Sequence, residues 1–136
     1  MIIDTMVMAY AMLKQPDFGE EALAVLEKAD ALVAPASVLS ELLSVVWQWW
    51  RSGENAEKLF SAYDNASQTW NELIPVEQLW FDALIIAIEY DHSPYDTLFI
   101  AAARCQETKL ITYDKKLLRL FPNDTVTSRD FLTAGE

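Results

Sequence analysis

One cysteine, one histidine and three glycines stand among 136 residues, and each scarcity excludes something. Cys105 alone rules out an internal disulfide and fits a reducing compartment. A single Cys with a single His cannot complete the tetrahedral ligand set of a structural zinc site. The same two residues are the one pair open to a thiol mechanism. Cys105, however, closes the apolar helical stretch Leu98-Phe99-Ile100-Ala101-Ala102-Ala103-Arg104-Cys105, where a free cysteine is expected to be inert packing. His92 reads as a loop or helix-end residue. There is no G-x-S-x-G, so nothing supports covalent catalysis. No apolar run approaches the roughly 18 residues a membrane helix needs. Met1-Ile2-Ile3-Asp4 has no basic run of the kind that opens a signal peptide, so a cytoplasmic location is the expectation. Cations are scarce as well: 10 Lys and Arg face 21 Asp and Glu, for a net charge of −11. Such a surface argues against tight, sequence-blind binding of nucleic acid.

What is present is enough for one domain, residues 1–136, with 52% apolar and 23% charged residues and a core that needs no disulfide or structural metal. The charge is uneven. Residues 1–103 hold 4 Lys and Arg against 16 Asp and Glu, while residues 104–136 hold 6 against 5. Lys115, Lys116 and Arg119 follow directly on Asp114, a solvated helix face that is also well placed to meet phosphates.

The chain alternates between strand and helix patterns. Strands are expected at Met1–Asp4, Ala31–Ala34, Glu72–Ile74, Lys109–Tyr113 and Thr125–Thr127. Helices are expected over 5–13, 18–29, 37–51, 54–70, 76–90, 93–106 and 115–121. Proline stops the second and third strands at Pro35 and Pro75, and Gly53 ends the long helix before an αα-hairpin. Strands separated by helices imply βαβ units and a mainly parallel sheet of four to five strands in an α/β domain.

Four carboxylates then stand out: Asp4, Glu41, Asp96 and Asp114. Asp4 ends the first strand pattern and Asp114 follows the Leu110-Ile111-Thr112-Tyr113 run. In open parallel sheets, ligands bind outside the carboxyl ends of the strands. Each aspartate also has an ordinary explanation. Asp4 and Asp114 can N-cap the helices that follow, and Asp96 is the fourth residue of the capping-box pattern Ser93-Pro94-Tyr95-Asp96. Glu41 is harder to explain away. It lies in the apolar stretch Val38-Leu39-Ser40-Glu41-Leu42-Leu43, where an unpaired carboxylate is costly unless it has a partner or stays wet. Carboxylates gathered together repel and raise one another's pKa, and a divalent cation relieves that repulsion.

The order and context of these residues resemble the PIN-domain family, particularly its small VapC-type toxins. The matching pieces are Ile2-Ile3-Asp4-Thr5; Pro35-x-Ser37-x-x-Ser40-Glu41-Leu42; Ser93-x-Tyr95-Asp96-Thr97-Leu98-Phe99-Ile100-Ala101-Ala102-Ala103; and Leu110-Ile111-Thr112-x-Asp114-x-x-Leu117. The glycine that often ends the family's helix is absent from Gln106-Glu107-Thr108-Lys109. The resemblance implies a three-layer α/β/α domain and a metal-dependent endoribonuclease, the toxin of a type II toxin–antitoxin pair. It implies that Asp4, Glu41, Asp96 and Asp114 hold one or two Mg²⁺ or Mn²⁺ ions, hard cations suited to oxygen ligands. Glu41 would be a ligand or a water-orienting base, and Thr112 would hydrogen-bond a ligand carboxylate or a phosphate. RNA is the implied substrate, and a cognate antitoxin and a second copy of the chain are the implied partners.

Two other readings compete. One is a catalytically inert PIN-like module whose acids serve folding or partner binding. The other is a phosphoacceptor receiver domain, which wants adjacent acids after the first strand, whereas Asp4 has no acidic neighbour. Trp47, Trp49 and Trp50 end a helix that is apolar nearly all round. They are expected to pack in the core or to form a dimer face or a groove for an amphipathic helix.

Overall fold

Ile2 and Ile3 are wholly buried, and they form the central strand on which the rest of the sheet is built. The computed structural model describes residues 1–134. Strand β1 (Ile2–Ile3) pairs with β2 (Val33–Pro35) on one side and β4 (Leu110–Ile111) on the other. Beyond them lie β3 (Glu72–Ile74) and β5 (Thr125–Val126). All four pairings are parallel and the order is β3-β2-β1-β4-β5, the five-stranded parallel α/β sheet that the alternating pattern predicts. The inner strands read as continuous apolar runs rather than alternating ones because helices cover the sheet.

The helices are α1 (Thr5–Leu13), α2 (Gly19–Lys28), α3 (Val38–Arg51), α4 (Ala56–Ser67), α5 (Trp80–Tyr90), α6 (Pro94–Cys105), α7 (Lys115–Leu120) and α8 (Ser128–Thr133). Helix α6 is the apolar centre: Thr97 through Ala103 are all buried, and the helix lies against β1, β2 and β4. Helix α1 gathers α2, α3 and α4 around it.

The structure departs from the expectations at five points. The helix expected over 76–90 is a short 3-10 turn, Val76–Gln78, followed by α5, and α8 was not anticipated. Cys105 is exposed, because it falls on the last turn of α6 after the buried alanines have ended. Two of the three α3 tryptophans stand outside the core: Trp47 and Trp50 are 53% and 54% exposed, while Trp49 is half-buried against the core and only Val38 and Leu42 of that helix are fully buried. Apolar side chains all round α3 thus leave one apolar face uncovered, instead of burying the helix on several sides. The capping box at the start of α6 is half formed. Ser93 Oγ accepts from the Tyr95 N–H at 3.3 Å, but Asp96 does not reach back to the Ser93 backbone and bonds His92 instead.

Candidate active site

Chain order and sheet order diverge between β1 and β4. From β1 the chain builds outward through β2 to β3, then returns to the far side of β1 to add β4 and β5. The crevice at such a switch point lies at the carboxyl ends of the two inner strands. Asp4 follows β1 and Asp114 follows β4. The Asp4 N–H donates to Ile111 O at 3.1 Å, holding the two strand ends together.

A cleft of about 660 Å³ opens there, and all four acids line it: Asp4, Glu41, Asp96 and Asp114. They arrive on four different elements. Asp4 N-caps α1, its Oδ1 accepting from the Val7 N–H at 3.0 Å. Asp114 N-caps α7, its Oδ1 accepting from the Lys116 and Leu117 N–H groups at 2.8 and 3.1 Å. Glu41 comes from the first turn of α3 and Asp96 from the first turn of α6. Capping and lining the cleft are therefore compatible: a cap uses one oxygen and fixes the direction of the other.

Thr112 sits behind the acids, wholly buried. Its Oγ1 donates to Asp4 Oδ2 and accepts from the Asp114 N–H at 3.0 Å, so one hydroxyl sets both strand-end aspartates. Of its two expected partners it takes the carboxylate. It has no exposed surface in the cleft. Lys115, Lys116 and Arg119 are exposed on α7 and flank the cleft without lining it.

Two of the four cleft carboxyls, Asp4 and Glu41, are perturbed by burial. Burial pushes the Asp4 carboxyl up to about 6, and the charges of Asp114 and Asp96 push the same way against the hydrogen bonds from Thr112 and Val7. Burial likewise pushes Glu41 up to about 7, with Asp96 and Asp4 adding repulsion. Glu41 Oε2 is buried with no hydrogen-bond partner. An orphaned carboxylate oxygen facing two other anions is a costly arrangement for folding alone.

That orphan, and a donor set made only of oxygens, fit a hard cation. Among the described residues, no three of His, Cys, Asp and Glu converge closely enough to enclose an ion by themselves. Mg²⁺ does not need such a cage, because it keeps several waters and is typically held through one or two carboxylates.

One contact to a cleft acid was missed in the sequence. His92, read as a loop or helix-end residue, follows the end of α5 and places Nε2 2.7 Å from Asp96 Oδ2. The only available signal was its position four residues before Asp96, a spacing that loops do not make informative.

No curated protein matches the chain's sequence. Among solved structures, it is similar to PAE2754 from Pyrobaculum aerophilum, with a TM-score of 0.72 at 16% identity, over 98% of this chain and 93% of that one. At that identity the likeness establishes the fold alone. The PIN domain model matches residues 1–121, which include all four cleft acids, and the chain belongs to the PIN-domain family.

Proposed function

We propose that this PIN domain, a nuclease-type fold, is a metal-dependent endoribonuclease and the toxin of a type II toxin–antitoxin pair. The observation that carries the reading is the convergence of Asp4, Glu41, Asp96 and Asp114 on one cleft, with Glu41 Oε2 buried and unpartnered. Asp4, Asp96 and Asp114 would be the core ligands of one or two Mg²⁺ or Mn²⁺ ions, with Glu41 a further ligand or a water-orienting base. Bound there, the ion supplies a more acidic water and stabilises negative charge on the phosphoryl oxygens.

The protein's own part is positioning and proton handling. Thr112 fixes the Asp4 carboxylate, and the α1 and α7 N-termini fix Asp4 and Asp114 from the other side. Glu41, its pKa raised to about 7 by burial, suits a group that exchanges a proton near neutral pH. Tyr10, Tyr95 and Tyr113 line the cleft, and aromatic faces suit the unstacked bases of single-stranded RNA. Lys115, Lys116 and Arg119 would take phosphates outside the acids. The net charge of −11 confines attraction for the RNA backbone to that edge.

Partner surfaces support the toxin assignment. A groove of about 300 Å³ between α3 and α4 is almost wholly apolar, with Leu43, Trp47, Trp50 and Phe60 along it. It suits the apolar face of an antitoxin's amphipathic helix. A separate stripe on α5, made by Trp80, Phe81, Leu84, Ile85 and Ile88, suits a second copy of the chain.

Cleavage of RNA by the purified protein, with Mn²⁺ and with chelator, tests the activity. Asp4→Asn and Asp96→Asn should each lower the metal-dependent rate by at least about 100-fold, as expected when a group acting in the transition state is removed. Both variants should remain folded. Undiminished metal-dependent cleavage by the double variant would overturn the assignment. A wild type that neither cleaves RNA nor binds Mn²⁺ would favour the inert module.

A further inference from the structure

We propose that His92 is a positioning residue for Asp96: it holds the carboxylate so that Oδ1 is presented to the cation. The inference rests on the metal-dependent reading above and goes beyond it by adding a residue outside the acid set. His92 is the chain's only histidine, and its side chain is 7% exposed. Its backbone is pinned, because the His92 N–H closes the end of α5 by donating to Ala87 O at 3.0 Å. Its ring stands edge-on to buried Phe121, with 6.4 Å between centroids. From that fixed base Nε2 lies 2.7 Å from Asp96 Oδ2. An ionised carboxylate only accepts, so Nε2 carries the hydrogen and donates it.

The consequence lies in what this bond leaves free. Asp96 is the first-turn acid of α6, and the half-formed capping box shows that its carboxylate is not spent on the helix end. Oδ2 is engaged by His92, while Oδ1 has no hydrogen-bond partner among the described residues. A carboxylate held at one oxygen loses rotational freedom, so the other oxygen is the one left for the cation. Partners of this kind behind metal ligands are worth about 10–100-fold in metal affinity when removed. If the bond served only to clamp the corner between α5 and α6, its loss would change stability and leave ion binding alone.

The test compares His92→Gln with His92→Met, using titration calorimetry with Mn²⁺ alone and thermal unfolding. Glutamine and methionine are similar in length, and only glutamine keeps an N–H to donate. His92→Met should weaken Mn²⁺ binding by about 10-fold or more, and His92→Gln should recover most of it. Their melting temperatures in chelator should match closely. Wild-type affinity in His92→Met, or equal losses in both variants, would overturn the positioning role while leaving the metal-dependent reading intact. A wild type that binds no Mn²⁺ would overturn both.

Discussion

Glu41 concentrates the conflict in this molecule. Its Oε2 is buried without a partner, and its pKa is raised because burial and the nearby Asp96 and Asp4 charges all disfavour ionisation. A carboxyl whose folded pKa lies above its unfolded value stabilises the fold fully below the unfolded value and loses that contribution as pH rises through the folded one. For Glu41 the window runs from 4.5 to about 7, and for Asp4 from 3.8 to about 6. Urea denaturation in chelator should therefore show stability falling between about pH 4 and 7. At pH 8, Glu41→Gln should be more stable than the wild type by on the order of 1 kcal/mol, discounted for screening in the open cleft. A flat pH profile, or a destabilised Glu41→Gln, would contradict the repulsion. Added Mn²⁺ should reverse the order, because an ion that binds only the folded wild type stabilises it by mass action.

At the scale of elements, two backbone positions carry expected outcomes. Helix α6 ends in a Schellman arrangement: Glu107 N–H donates to Arg104 O and Thr108 N–H to Ala103 O, with Glu107 at φ 53°. Glycine normally takes that left-handed position, and a side chain there costs about 1–2 kcal/mol. Glu107→Gly should raise stability by about 1 kcal/mol in denaturant titration, part of the relief being lost to glycine's freedom in the unfolded chain. Gly19 is the opposite case. It opens α2 so close to the end of α1 that an added Cβ would sit 2.5 Å from the Lys14 carbonyl carbon. That contact is with backbone, which cannot swing aside. Gly19→Ala should cost roughly 1–3 kcal/mol, the scale of overpacking, and an unchanged midpoint would mean the helices can separate freely. The same elements show how much of the fold was legible. Helix α1 and strand β3 lie where the apolar patterns put them, because caps and prolines mark their ends. Which of the α3 tryptophans would be covered was not legible, since composition around a helix does not say whether anything covers its last turns.

For the whole molecule, the uncovered apolar surface is the clearest consequence of assembly. Ile88, 72% exposed, lies on one α5 stripe with Phe81 and Leu84, apart from the α3–α4 groove. If α5 joins two copies, sedimentation should give a dimer for the wild type and a monomer for the doubly substituted Phe81→Glu, Ile88→Glu protein. The acids should still line the cleft in that monomer, because none of them comes from α5. A wild type that stays monomeric at micromolar concentration would remove the dimer from the proposed function.

By itself, the sequence determined most of the element order and the parallel sheet, and it singled out four acids that share one cleft. Those follow from local causes: apolar runs long enough for strands, prolines that stop them, and caps that open helices. Tertiary structure decided the rest. Asp4 and Asp114 are neighbours only because β4 pairs with β1 after a crossover from the far edge, a pairing across more than a hundred residues. The raised pKa values of Asp4 and Glu41 come from burial, which no spacing reveals. His92 meets Asp96 only because the corner between α5 and α6 turns its ring onto that carboxylate, since a hydrogen bond depends on a direction in space that residue order does not set.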